Sequence, residues 1–308
     1  MITLEWDTVE WSAWQKLLGL VRSGLQQSWS YGEALRAVGV PVHRAVVRDS
    51  DGRAVACLQV VERRLLGQIG VGILLRGPVW IDPGSRSWAE PIVLSEIGRR
   101  VRRSSLIWAP ETQGQLAGRP LITGHSTSWL DLSSGPGTLR RRLATDWRAG
   151  LRRAEASKLV VRAGSAPKAI DWLLDQNEAY RRGVGYRGPS REFLGRLARA
   201  ARDARELLLL HAFERAEPVA GIMLLRHGVS ATYEVGYVSP RGRELRATHL
   251  LLWHGVEHLI RQKVRWLDLG GIATDRSPGI ARFKLGMGGT AETLPGTFLV
   301  RRWLPCWG

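Results

Sequence analysis

The chain carries its positive charge almost entirely on arginine, so its few lysines stand out: they occur only at Lys16, Lys158, Lys168, Lys263 and Lys284. The two cations do different chemistry. A compact ammonium can meet a developing oxyanion or give up a proton, whereas a guanidinium stays charged and forks onto phosphate or carboxylate. Lys284 closes the run Arg282-Phe283-Lys284, a short way after Leu267-Asp268-Leu269-Gly270-Gly271-Ile272. Asp268 ends a mostly apolar stretch, where a carboxylate suits a substrate amine, a backbone N–H or the cap of the next turn. Gly270 and Gly271 permit positive φ or a close backbone approach. Arg181 and Arg182 precede Gly183, with Tyr186 and Arg187 in the loop just after. That group suits a phosphate or carboxylate. The plainer alternatives are solvated surface cations and, for Phe283, an ordinary core aromatic.

A second cationic region lies between Thr138 and Arg162, where seven arginines and Lys158 face only Asp146 and Glu155. Leu139, Leu143, Trp147, Leu151 and Ala154 recur at three- and four-residue spacing, which predicts one amphipathic helix over 139–157. On that helix Arg141, Arg148 and Arg152 share a side, a pattern that can track a phosphate backbone. A charged run of this kind is also the usual look of a solvated helix face.

Over 308 residues, 45 Lys and Arg against 28 Asp and Glu give a formal charge of +17. The excess favours polyanions, namely nucleic acid, phosphate-bearing substrates or an anionic surface. With 44% hydrophobic and 24% charged residues the composition is globular, which excludes wholesale disorder. Cys57 and Cys306 lie too far apart to form a disulfide framework, and the scattered histidines offer no zinc-ligand spacing. No metal is therefore expected. The N-terminus lacks a basic and apolar leader, and no apolar run approaches the ~20 residues of a membrane span. A cytoplasmic protein without stable membrane insertion is expected.

The elements that must position these residues follow from periodicity and turns. In the second half, strand Lys158–Ala163 precedes a helix around Ile170–Tyr180 and another capped by Ser190. Strands Glu206–Phe213, Pro218–Arg226 and Ser230–Val238 are joined by short polar turns. A helix over Glu244–Arg261, strand Val264–Leu269, helix Pro278–Leu285 and strand Gly296–Arg302 complete it. This is the element order of the GNAT acyltransferase fold. The first half is a weaker copy, with helices Thr8–Arg22 and Tyr31–Val38, strands Val42–Arg48, Ala54–Arg64 and Gly70–Trp80, helix Trp88–Arg103 and strand Leu106–Ala109. The expected class is α/β (α+β): two tandem GNAT-like domains, each a mixed, largely antiparallel sheet flanked by helices. The Ser133–Gly137 stretch reads as the linker. Residues 1–135 with 296–308 then form domain 1, and 136–295 domain 2.

Several segments together resemble the FemABX family, the aminoacyl-tRNA-dependent peptidyltransferases of peptidoglycan bridge formation, whose members have two GNAT-like domains. Leu267–Ile272 followed by Phe283-Lys284 is similar to their D-(L/F)-x-G-I stretch and F-K pair. Asp146-Trp147-Arg148 through Glu155 resembles the basic helix that opens their second domain, and Gln27-Ser28-Trp29 their common Q-x-x-W opening. The resemblance implies an aminoacyltransferase that moves an aminoacyl group from aminoacyl-tRNA to an amine of a peptidoglycan precursor or other peptide acceptor. It implies Lys284 and Phe283 as catalytic residues. The ammonium would stabilise the oxyanion and the leaving alkoxide, and the ring would shape the wall of the peptide channel. Arg181, Arg182, Tyr186, Asp268, Gly270 and Gly271 would bind substrate, and Arg141, Arg148 and Arg152 would guide the tRNA.

The sequence departs from the family in two places. Trp108-Ala109-Pro110-Glu111 stands where relatives often have an F-D-P-E-like stretch, so no aspartate base is available there unless Glu111 replaces it. No lysine follows Trp29, which points to an acceptor different from the usual muropeptide. Two other functions compete with this reading. One is a GNAT-type N-acyltransferase using acyl-CoA or an acyl carrier protein, the other a non-catalytic basic nucleic-acid-binding module. Acetyl-CoA enzymes cradle pyrophosphate on a glycine-rich turn at a helix N-terminus. Here the turn Ser239–Thr248 places Arg246 at the first glycine, which disfavours CoA.

Overall fold

The computed structural model describes residues 2–65, 69–101, 105–114, 117–185, 188–272 and 278–301. Tyr186, Arg187 and Cys306 lie outside the described residues. The chain divides into two compact units, Met1–His125 with Thr293–Gly308, and Ser126–Glu292.

The first unit opens with β1 (Thr3–Trp6), α1 (Trp11–Leu18) and α2 (Trp29–Arg36), then β2 (Val42–Arg48), β3 (Ala54–Leu65), β4 (Ile69–Leu75) and β5 (Val79–Trp80). Helix α3 (Arg86–Arg100) leads to β6 (Ser105–Ala109) and β7 (Arg119–Thr123). Helix α1 is shorter than its apolar spacing predicts: Asp7 takes a positive φ before it, and Gly19 caps its end. The Gln27-Ser28-Trp29 segment earns its place structurally. Ser28 Oγ accepts from the Tyr31 N–H and caps α2. Gln27 Nε2 donates to Leu75 O at 2.7 Å, while its Oε1 accepts from Gln59 N at 2.6 Å. The Trp29 ring lies 3.6 Å from the guanidinium of buried Arg44.

The second unit contains β8 (Ser126–Asp131), α4 (Gly135–Arg142), α5 (Thr145–Glu155), β9 (Leu159–Ala163), α6 (Pro167–Gly183) and α7 (Arg191–Asp203). Three antiparallel strands follow, β10 (Leu207–Glu214), β11 (Glu217–His227) and β12 (Ser230–Val238). The unit ends with α8 (Pro240–Glu244), α9 (Ala247–Arg261), β13 (Trp266–Ile272), α10 (Pro278–Leu285) and β14 (Thr290–Thr293). Its sheet runs β14-β8-β13-β12-β11-β10-β9. The last strand, β15 (Gly296–Arg301), pairs with β6 and β7 in the first sheet, whose order is β1-β2-β3-β4-β6-β15-β7.

Two expectations change. Strand β8 pairs with β13, so the passage from one sheet to the other falls before Ser126, and Ser133–Gly137 is the turn into α4 rather than a linker. The helix expected over 139–157 is two helices. Leu143 leaves the helical region with ψ 137°, and the Ala144 N–H donates to Gly286 O at 2.9 Å, which holds the break. The apolar spacing concealed this because Leu139, Leu143, Trp147, Leu151 and Ala154 are all buried on both sides of it.

Strand alternation divides the second sheet's two faces. Leu210, Ala212, Ile222 and Leu224 join α5 and α9 in one core, while a Cβ on the alternating Gly221 would touch His211 and Leu173 and Trp172 of α6. Among the described residues, no helix is long and apolar enough to cross a membrane.

Candidate functional site

The parallel pair β12–β13 registers Ser230 with Trp266, Ala231 with Leu267 and Thr232 with Asp268, and its pairing ends there. Each strand then departs from regular geometry. On β12, Met223 of β11 faces Val235 while Leu224 faces Tyr233, so Glu234 is the extra residue of a bulge. On β13, register against β8 slips between Asp268 and Gly271, with Gly270 at φ +80°. That conformation favours glycine.

The slip is fixed by Asp268, which is fully buried. Its Oδ1 accepts from the Gly270 N–H at 2.8 Å and from the Thr127 hydroxyl. Of the roles that the sequence left open for Asp268, the structure displays the backbone contact. A Cβ on Gly270 would lie 3.3 Å from Lys284 Nζ and 3.7 Å from Tyr233 O, so the bare glycine lets both approach.

Lys284, on α10, is half-buried, and its Nζ donates to Gly271 O at 2.8 Å. Burial pushes its pKa down to about 8, against the pull of the Asp268 carboxylate. The ammonium is thus largely charged at neutral pH and close to the range where it exchanges protons. Burial pushes the Tyr233 phenol up to about 12. Glu234 is pushed up to about 7, by burial and then by Asp268. Sequence reasoning did not find Glu234, because nothing in Tyr233-Glu234-Val235 announces a bulge. Phe283 packs against Trp147 and His249, with ring centroids at 5.7 and 4.9 Å. Burial pushes His249 down to about 4, with Arg246 adding to the effect, so its imidazole is neutral at pH 7.

Lys284, Asp268, Gly270 and Gly271 therefore come together, and Glu234 joins them. Arg181 and Arg182 lie at the end of α6 with contacts of their own. Arg181 is tucked in, its Nη1 donating to Pro189 O at 2.6 Å, while Arg182 is exposed and paired with Glu178. Arg141 is exposed and donates to Thr138 Oγ1; Arg148 Nη1 reaches Arg141 O at 3.4 Å across the helix break; Arg152 is exposed. An open hollow of about 350 Å³ is lined by Arg153, Pro240, Arg243, Glu244 and Arg246. It collects three cations from α5 and the turn before α9, of which Arg153 and Arg243 were not singled out in the sequence.

The residues of that turn do not suit a CoA pyrophosphate. Gly242 packs its α-carbon against Val219 O, where a Cβ would clash, and Arg246 holds a left-handed φ of 58° with a side chain present. The turn offers side-chain charge rather than a bare main-chain cradle. In the first unit, Glu111 is no free base. Both its oxygens are held by the Arg76 guanidinium, Nη2 to Oε1 at 2.6 Å. Among the described residues, no group of three or more His, Cys, Asp or Glu side chains is placed to hold a metal.

Residues 140–285 match the family described as Acetyltransferase (GNAT) domain. No curated protein matches the sequence. Among solved structures, the crystal structure of FemX has a TM-score of 0.81 at 12% identity, covering 96% of this chain and 97% of that one. A tandem GNAT protein from the clavulanic acid biosynthesis pathway gives 0.54 at 16% identity, covering 98% and 100%. The C-terminal domain of a putative lysylphosphatidylglycerol synthetase from Agrobacterium fabrum gives 0.56 at 13%, covering 94% and 90%. The chain thus has the FemX-like fold, two GNAT-like domains in tandem, and the match to the acetyltransferase (GNAT) domain covers most of its second unit.

Proposed function

We propose that the protein is an amide-forming aminoacyltransferase, taking an aminoacyl group from aminoacyl-tRNA and passing it to an amine of a peptidoglycan precursor or other peptide. The observation that carries the reading is Lys284. Its ammonium is half-buried, tied to Gly271 O and set against the glycine at the parting of β12 and β13. Aminolysis of an ester passes through an oxyanion and releases an alkoxide. A fixed ammonium in a site with little water stabilises both. Arg181, or Arg182 beside it, holds an acceptor phosphate or carboxylate, and Tyr186 binds the same substrate. Arg141, Arg148 and Arg152 guide the RNA backbone. The hollow of Arg153, Arg243 and Arg246 adds phosphate-binding charge on the same unit. No cofactor takes part, since the donor is a co-substrate, and the reaction belongs in the cytoplasm, where charged tRNA resides.

An N-acyltransferase using acyl-CoA is the second reading, favoured by the family match over residues 140–285. Incubating the protein with a charged tRNA pool and a peptide amine distinguishes them. RNase-sensitive amide formation is expected; amide formed only with acyl-CoA would overturn the donor assignment.

A further inference from the structure

The Asp268 carboxylate is fully buried on β13, between β8 and β12. A buried charge is costly without an opposite charge to answer it. Its Oδ1 accepts from the Thr127 hydroxyl and from the Gly270 N–H. An asparagine would accept both bonds at the same oxygen with no charge to bury. These two bonds therefore account for where the side chain points and not for its being an acid. The cation it acts on is Lys284, whose protonated form it favours against burial.

Thr127 of β8 grips this arrangement at both ends. Its hydroxyl holds Asp268, and its backbone registers with Gly271, on the far side of the slip in β13. Gly271 O in turn accepts from Lys284 Nζ at 2.8 Å. Thr127 is only 1% exposed, so its hydroxyl would be left unsatisfied without that carboxylate. The turn from Asp268 to Gly271 is thus clamped by one neighbouring residue, and the ammonium hangs on the clamped turn. The other elements around it bring little charge at neutral pH. Strand β12 brings the Tyr233 carbonyl beside Gly270, with a neutral phenol and then Glu234, raised to about 7. Trp147 of α5 and the neutral His249 of α9 pack against Phe283. Ser126 and Thr127 of β8 are uncharged, and Arg282 of α10 is exposed.

We infer that Thr127 is a positioning residue for the transfer, fixing Asp268 and the Gly270–Gly271 turn so that the Lys284 ammonium is held where the oxyanion forms; the inference rests on the amide-forming transferase reading above. Thr127 itself touches no substrate and moves no proton. It acts through two links, the hydroxyl on Asp268 and the register with Gly271. Asp268 supplies the counter-charge and Gly271 O the hydrogen-bond acceptor, and each favours the protonated amine. Breaking either link lowers the proton affinity of Lys284 and loosens its aim. Nothing in Ser126-Thr127-Ser128 marks the threonine in the sequence, because its part arises only when β8 pairs with β13.

The test uses the full-length protein with Thr127→Val, Thr127→Ser and Asp268→Asn. Each is labelled with trace acetic anhydride across neutral and basic pH, and modification of Lys284 is read by mass spectrometry against Lys16, Lys158, Lys168 and Lys263. Only the neutral amine reacts, so native Lys284 should label with a midpoint near pH 8. Thr127→Val and Asp268→Asn should lower that midpoint by about one pH unit, and Thr127→Ser should restore it. Transfer to a peptide amine from a charged tRNA pool or acetyl-CoA is followed alongside. There Thr127→Val should lower kcat roughly tenfold, leave the KM for the donor unchanged and move the basic limb down by the same amount. A Thr127→Val midpoint within about 0.3 pH unit of native overturns the inference, whatever the activity. Lowered midpoints in a protein that transfers from neither donor keep the link from Thr127 to Lys284 and overturn the transferase reading. Transfer from acetyl-CoA alone, with the same losses, overturns the tRNA donor and sustains the positioning role. Unchanged labelling of the other four lysines excludes a folding defect as the cause.

Discussion

Both units place a parallel strand pair within their sheets, and the two pairs are finished differently. In the first unit, β4 and β6 stay in register from Val71–Ser105 to Leu75–Ala109. The Arg76 N–H then donates to Ala109 O at 2.6 Å, the Arg76 guanidinium grips Glu111, and Gln27 occupies Leu75 O. Polar groups there satisfy one another. In the second unit, β12 and β13 part after Thr232–Asp268, and the residues beyond include an unpartnered carboxylate and a half-buried ammonium. One element order therefore takes two forms: a zipped pair whose polar groups are matched to one another, and a parted pair whose polar groups the proposed reaction would use.

The comparison can be broken most sharply at Lys284. Lys284→Met should reduce turnover by roughly 10²–10³-fold with the circular dichroism spectrum unchanged; near-native turnover would remove the ammonium from the chemistry. The matching lesion in the first unit is Glu111→Gln. It leaves the Arg76 guanidinium without its counter-charge and should cost about 3 kcal/mol in urea unfolding, with turnover per folded molecule preserved. Loss of turnover without loss of stability would place chemistry in the wrong unit. Gly270→Ala combines a positive φ with a methyl against Lys284 Nζ. It should cost about 1–2 kcal/mol of stability and reduce kcat by displacing the ammonium.

Smaller effects sharpen the picture. A carboxyl raised to about 7 in the folded chain but ordinary when unfolded favours folding least once it must ionise. The penalty is absent below the unfolded pKa and complete above pH 7. Glu234→Gln should thus raise the Tm at pH 8 and leave it unchanged at pH 5, as read by differential scanning calorimetry. Reversing Arg148 and Arg152 to Glu should weaken tRNA binding and reduce its slope against log salt concentration. An unchanged slope would leave those arginines as a solvated face.

Most of the scaffold was legible because the buried periodicities are local. Strands Val42–Arg48 and Ser230–Val238 and helix Pro278–Leu285 match their expected bounds, and Ser190 does cap α7 through the Phe193 N–H. The failures share a physical cause. The helix break at Leu143 is imposed by Gly286, far along the chain, and β8 is recognisable only from its partner β13. Within the site, Asp268, Gly270 and Lys284 were visible as residue types in a spaced pattern. Glu234 was not, since its environment arises from a bulge that pairing with β11 creates.

The turn before α9 has one more consequence. Arg246 keeps a backbone conformation that costs an ordinary side chain about 1–2 kcal/mol and a glycine nothing. Arg246→Gly would relieve that tension, strip a cation from the hollow and bare the amides that open the helix. On the proposed reading, one substitution thus separates a hollow that grips phosphate through side chains from one that receives it on the main chain.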